Sequence, residues 1–276
     1  MPNSRPTKTT RKTAKEAVGD PRNSSLYVGS TEKTFQILHA FDHPKRQMPL
    51  SEIATLSGLD RSAAQRLVFT LEALGYLRRV HNTRDYALTS KVLQFSYNFL
   101  CAHELLHKAA PYLVDLSSTL GETTNLQELD GHEVVYVGRY PGRHLINVDI
   151  MVGSRLPAIF TASGTAILSH CSAEEREAAI EATQLRALTP HTVTDKGLLL
   201  ERMQRAAETG YAIIANETVL GDIAVASAIL DEHGHAIAAI TIAVPTTRWT
   251  KERVEEELAQ HVQVVATSIS AKKFFS

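Results

Sequence analysis

The chain has 276 residues, with 29 Lys+Arg against 30 Asp+Glu for a formal net charge of −1, and 43% of its residues are hydrophobic. Two cysteines, Cys101 and Cys171, exclude a disulfide framework and fit a reducing cytoplasm, while the lack of any run of about 18 apolar residues excludes a membrane-spanning helix. The near-neutral total conceals an asymmetry, because residues 1–100 carry a net +7 and residues 101–276 a net −8. Contact with a polyanion therefore belongs to the front of the chain.

Residues 1–24 carry a net +4, many Ser, Thr, Pro and Lys, and almost no large apolar side chains. This composition predicts a disordered basic tail, and it matches neither a secretory signal nor an amphipathic targeting peptide. A DNA-binding domain is expected over 25–88. Leu50, Ile53, Ala54 and Leu56 suit a short helix over 50–56, broken by Ser57-Gly58. Asp60 then caps a second helix whose apolar stripe is Ala64, Leu67, Val68, Leu71 and Leu74. Arg61, Ser62, Gln65 and Arg66 occupy the outer face at its start, where a helix-turn-helix reads base edges in the major groove. After Gly75, the runs 76–80 and 86–88 predict a hairpin with a polar tip, whose Arg78, Arg79 and Arg84 are candidate phosphate contacts.

Thr89 caps a helical run over 89–102 in which Val92, Leu93, Phe95, Phe99 and Leu100 crowd one side, too apolar for a solvated linker. Either a second copy of the chain or an intramolecular core covers that side. The following segment, His103-Glu104-Leu105-Leu106-His107, matches the H-E-x-x-H pattern of zinc hydrolases, in which two histidines on one helix face bind metal and the glutamate acts as base. The pattern is short enough to arise by chance in a chain with 12 His, and no third ligand is evident. The expectation is no metal, no cofactor and no catalysis, with a zinc hydrolase as the alternative.

From Thr123 onward the pattern alternates. Residues 134–137 follow an Asp130-Gly131 turn, and two apolar runs, 223–230 and 236–244, flank Asp231-Glu232-His233-Gly234 as a hairpin. Helices are expected near 162–169, 173–182, 196–209 and 250–271. Mixed strands and helices with a hairpin predict an α+β domain, an antiparallel sheet flanked by helices, over 103–276.

Several motifs together resemble the IclR family of bacterial transcription regulators over about residues 26–270. In the front half they are Leu50-Ser51-Glu52-Ile53-Ala54, Ser57-Gly58-Leu59, and Arg61-Ser62 through Leu74-Gly75-Tyr76. The rear half makes the match specific, with Gly153-Ser154-Arg155-Leu156-Pro157, Thr161-Ala162-Ser163-Gly164-Thr165-Ala166, Gly210-Tyr211-Ala212, Glu217, Gly221, and 223–245 ending Ala243-Val244-Pro245. The resemblance implies a winged helix-turn-helix, a linker helix packed in a dimer, and a GAF-like effector-binding domain. It further implies a homodimer or homotetramer on a near-palindromic operator, controlling catabolic genes in response to a small organic acid.

By that resemblance the effector carboxylate meets the backbone amides of Ala162 and Ser163. The family's polar pocket positions fall on Ile214, Ala224, Thr241 and Ala243, and its apolar wall on Leu145, Val148, Leu156 and Asp222. Only Thr241 of the polar set keeps a hydroxyl, so a larger, more apolar acid, such as an aromatic one, is expected. Asp222 runs against that trend and either faces solvent or binds a ligand hydroxyl. A ligand-binding module without DNA recognition is the remaining alternative.

Overall fold

The computed structural model describes residues 20–42, 47–143 and 150–270. Most of the expected basic tail lies outside these residues; its last part forms a 3-10 turn, Pro21–Asn23, capped by Asp20. The chain divides into two compact units, Met1–Phe95 and Ser96–Ser276.

In the first unit, α1 (Gly29–His39) is followed by β1 (Met48–Pro49), α2 (Leu50–Leu56), α3 (Arg61–Ala73), β2 (Leu77–Arg79) and β3 (Asp85–Leu88). The turn between α2 and α3 needs Gly58, whose φ of +68° is costly for a side chain with a Cβ. Asp60 caps α3 by accepting from the Ala63 amide at 2.9 Å, which holds its carboxyl below the usual range. Ile37, Met48, Ile53, Ala64, Val68, Leu71 and Leu77 form the core. Leu74, expected in that stripe, is 53% exposed, because α3 has ended and Leu74 is its C-cap. The hairpin pairs Leu77 with Leu88 and Arg79 with Tyr86, and Asn82 supplies a left-handed residue at its tip. β1 adds a third strand in the order β1-β3-β2. Two residues are too few to show a period.

Thr89 accepts from the Lys91 amide and donates to the Gly75 carbonyl at 2.6 Å, starting a 3-10 turn that continues into α4 (Leu93–Ala102). The division between the units falls within α4. The second unit continues with α5 (Glu104–Leu120), β4 (Thr123–Asp130), β5 (Glu133–Tyr140), β6 (Arg155–Pro157), α6 (Ala162–Leu168), α7 (Ala173–Ala182), α8 (Lys196–Thr209), β7 (Ala212–Ala215), β8 (Asp222–Leu230), β9 (Ala236–Pro245) and α9 (Lys251–Ile269). The mixed α+β fold expected from the alternating patterns is present, with one antiparallel sheet in the order β6-β5-β4-β9-β8-β7.

Strand alternation separates the two faces of this sheet. Leu126, Val137, Ile223, Val225, Ile240, Ile242 and Val244 pack with Leu113 of α5 and Val254, Leu258 and Val262 of α9. Each such fully buried Leu or Ile contributes about 1.5–3 kcal/mol. The opposite face meets α6, where alanines Ala162, Ala166, Ala226 and Ala228 allow close approach. Gly164 sits against the turn before α6: a Cβ there would lie 2.1 Å from the Ala158 carbonyl oxygen. Gly164→Ala should therefore lower unfolding free energy by at least about 1 kcal/mol in a denaturant titration, as overpacking against immobile backbone does.

Candidate nucleic-acid interface and ligand pocket

The first turns of α3 bury Ala64 and Val68 and leave Arg61, Ser62, Gln65 and Arg66 exposed together on the opposite face. Phe69, 68% exposed, continues that face one turn after Gln65. It was not expected there, although its place outside the apolar stripe is visible in the spacing. On the hairpin, Arg78 and Arg84 are exposed. Arg79 is already engaged, with Nε 3.2 Å from Glu72 Oε1 and its guanidinium 5.4 Å from the Tyr86 ring centroid.

The start of a helix divides the histidine pattern. His103 is the N-cap of α5 rather than part of it, so it does not share a helix face with His107. Its Nδ1 accepts from the Leu106 amide at 3.2 Å, which leaves the proton on Nε2, 2.8 Å from Glu128 Oε1. His107 Nε2 lies 2.9 Å from the Cys101 carbonyl oxygen. Among the described residues no group of three or more His, Cys, Asp or Glu is placed to hold a metal ion.

On the α6 face of the large sheet is a narrow cavity that opens to solvent. Its floor follows the register. Arg139, Asn125 and Thr241 form one row across β5, β4 and β9, and Thr123, Ala243 and Ala224 form the next across β4, β9 and β8. Tyr136 and Arg139 are three residues apart yet both line the cavity, because a bulge between their pairings with β4 shifts the pleat by one residue. Thr161 caps α6 by accepting from the Gly164 amide, and Ala162 and Ser163, at the start of the helix, line the cavity. The loop after β7 closes one side with Thr218 and Val219; Thr218 donates to the Phe160 carbonyl at 2.6 Å.

Of the residues expected at the pocket, Ala162, Ser163, Asp222, Ala224, Thr241 and Ala243 line this cavity. Ile214 packs into the alanine cluster beneath α6, and Leu156 packs beside Val134 and Phe160, so neither lines it. Leu145 and Val148 lie outside the described residues. Asn125, Gln127, Tyr136, Arg139 and Thr218 were not expected. They make the lining far more polar than the substitutions at Ile214, Ala224 and Ala243 imply. Most of these groups have partners: Arg139 donates to Asn125 Oδ1 at 3.1 Å, Thr241 to Gln127 Oε1 at 2.7 Å, and Ser163 to Thr161 Oγ1 at 3.3 Å. Asp222 Oδ1 is buried with no hydrogen-bond partner among the described residues. Desolvation pushes its carboxyl up to about 7, partly opposed by the charge of Arg139.

The helix-turn-helix model of the IclR family matches residues 30–81, and the model for the C-terminal domain of IclR bacterial transcriptional regulators matches residues 98–271. The chain belongs to the IclR family. It is a DNA-binding transcription regulator, not an enzyme. The p-hydroxybenzoate hydroxylase transcriptional activator of Acinetobacter baylyi is 33% identical over 227 residues, 80% of this chain and 83% of the relative. A crystal structure of a transcriptional regulator from Rhodococcus sp. RHA1 superposes with a TM-score of 0.75 at 30% identity, covering 88% of this chain and 97% of that one. An IclR homolog from Microbacterium hydrocarbonoxydans, complexed with 4-hydroxybenzoate, shares the fold at 22% identity with a TM-score of 0.72, covering 90% of this chain and all of that one.

The Asp222 carboxyl has a pH signature in this regulator. Folding raises it from about 4 to about 7, so the folded chain holds a proton that the unfolded chain releases in that window. Its contribution to stability is complete below pH 4 and is lost as the pH rises towards 7. Urea unfolding at pH 5 and pH 8 should show a larger loss of stability in the wild type than in Asp222→Asn; equal losses would mean that Asp222 titrates normally.

Proposed function

We propose that this IclR-family regulator is a cytoplasmic homo-oligomer that controls catabolic genes in response to an aromatic carboxylate. The observation that carries the effector reading is the cavity on the second unit, with a guanidinium, Arg139, at one side and small residues, Ala162, Ala224 and Ala243, leaving room over its floor. Arginine offers five donors in a planar fork that matches a carboxylate, and Asn125 takes one of them. The amides of Ala162 and Ser163, at the start of α6, add donors to the lining, while Val219 and Ile150 supply apolar contact to a ring. The name of the Acinetobacter relative, an activator for an enzyme of hydroxybenzoate metabolism, supports an aromatic acid and a catabolic target.

On DNA, Arg61, Ser62, Gln65 and Arg66 are the base readers, Phe69 offers an apolar contact of the kind thymine methyl groups accept, and Arg78 and Arg84 face phosphates. Arg79, held by Glu72, has a lesser part. Residues 1–24 add basic charge, 25–88 are the reading head, 89–102 the linker and 103–276 the sensing and assembly domain. On α4, Leu93, Phe95, Tyr97 and Phe99 are each more than half exposed, a surface for a second copy. Two heads then meet the half-sites of a near-palindromic operator. The acid acts by linkage: its influence equals its difference in affinity between the DNA-competent arrangement and the other.

Titration of the full chain onto DNA upstream of its own gene, with benzoate, 4-hydroxybenzoate and pyruvate added in turn, tests the reading. One aromatic acid should change the affinity and pyruvate should not; indifference to all three, with specific binding intact, rejects the effector class. Gln65→Ala should lose about tenfold or more in specific binding and little in nonspecific binding. Arg84→Ala should reduce the salt slope of log K by about one unit, and Arg79→Ala by less.

A further inference from the structure

We propose that Asp222 is the selector of this pocket, favouring aromatic carboxylates that carry a ring hydroxyl over those that do not. The inference rests on the carboxylate reading of the cavity and adds the group at its other side. Asp222 stands on β8 and Arg139 on β5, three strands away across the sheet, about 14 Å at the usual strand spacing; Asp222 is also four residues along β8 from Ala226, the position in register with Arg139, so the backbones are about 19 Å apart. Between them lies the floor of Asn125, Thr241, Thr123, Ala243 and Ala224. A ligand that gives its carboxylate to Arg139 and lies along this floor presents its far edge to Asp222.

Asp222 differs from the other polar groups of the lining. Arg139, Thr241, Thr218 and Ser163 each donate a hydrogen bond within the protein, whereas Asp222 Oδ1 is shielded from solvent and has no partner among the described residues. No ion pair joins it to Arg139 among the described residues; the charge of Arg139 reaches it without contact. A buried polar atom without a partner is costly, and the cost is removed by whichever ligand supplies one. A ring bearing only C–H at that edge leaves the oxygen unpaired. A hydroxyl both donates and accepts, so it serves the carboxylate and the carboxylic acid alike, and near neutrality desolvation keeps both forms populated. An ammonium group would be matched only by the charged form, and Arg139 already disfavours a cation in the cavity.

Calorimetric titration of the full chain with benzoate, 3-hydroxybenzoate and 4-hydroxybenzoate tests this. The wild type should bind at least one hydroxybenzoate about tenfold or more tightly than benzoate, the ratio expected for one hydrogen bond to a buried partner. In Asp222→Leu that preference should fall to about twofold or less, with benzoate binding held or improved, while Asp222→Asn, which keeps an acceptor and a donor, should retain part of it. Arg139→Gln should weaken every acid and preserve the ratio. Melting curves of each variant establish that it is folded. A tenfold preference that survives Asp222→Leu, with Arg139→Gln still weakening all three acids, overturns the selector role and leaves the carboxylate reading standing. Failure of all three acids to bind the wild type overturns that reading, and the selector role falls with it.

Discussion

The alternation of side chains along an antiparallel strand is the constraint on which the second unit depends. Each strand has to satisfy two environments at once: Ile223, Val225 and Ile229 of β8 and Ala238, Ile240, Ile242 and Val244 of β9 enter the apolar layer under α5 and α9, and Ala224, Ala226 and Ala228 face α6. The apolar layer is complete by itself. The other face is therefore free to carry Thr123, Asn125, Gln127 and Thr241, polar groups that a two-sided core would exclude. The apolar core and the polar cavity are divided between the two sides of one sheet.

The bulge in β5 departs from this rule at the pocket; a second shift, between Ile229 and Leu230, lies near the β8–β9 turn. Without the β5 bulge, Tyr136 and Arg139 would point to opposite faces, and either the guanidinium would enter the α5–α9 layer or the tyrosine would. The extra residue is taken up as Val137 joins the apolar layer, and both polar side chains stay over the cavity. Gly164 serves the same geometry from above, since the close seat of α6 on the Ala158 carbonyl has no space for a Cβ.

Much of this architecture was legible in the sequence, because caps and periods are local. Asp60, Gly58 and the Ala64–Val68–Leu71 stripe define the helix-turn-helix within a few residues, and the 223–230 and 236–244 runs meet as β8 and β9 across their Asp231–Gly234 turn. The pocket was less legible. Its lining is assembled from β4, β5, α6, the loop after β7, β8 and β9, and nothing local tells that Asn125 and Thr241, 116 positions apart, are register partners. A bulge has no period, so Arg139 could not be placed on a face from spacing. The H-E-x-x-H pattern, discounted from its shortness, has a local reason of its own: the helix begins one residue later than the pattern assumes, and His103 caps it instead of standing on it.

The loop that carries Thr218 and Val219 is held on both sides. Glu217 takes the Arg202 guanidinium at 2.8 and 3.0 Å and the Val193 amide at 3.1 Å, Thr218 is tied to Phe160, and Asn216 closes the turn by accepting from the Gly221 amide. A wall fixed in this way has already lost its backbone freedom during folding. A ligand entering beside it is charged little for ordering protein, so a molecule of few atoms can reach useful affinity, and molecules of the wrong outline meet a wall that does not yield. The discrimination of such a sensor is set when the chain folds, well before any ligand arrives.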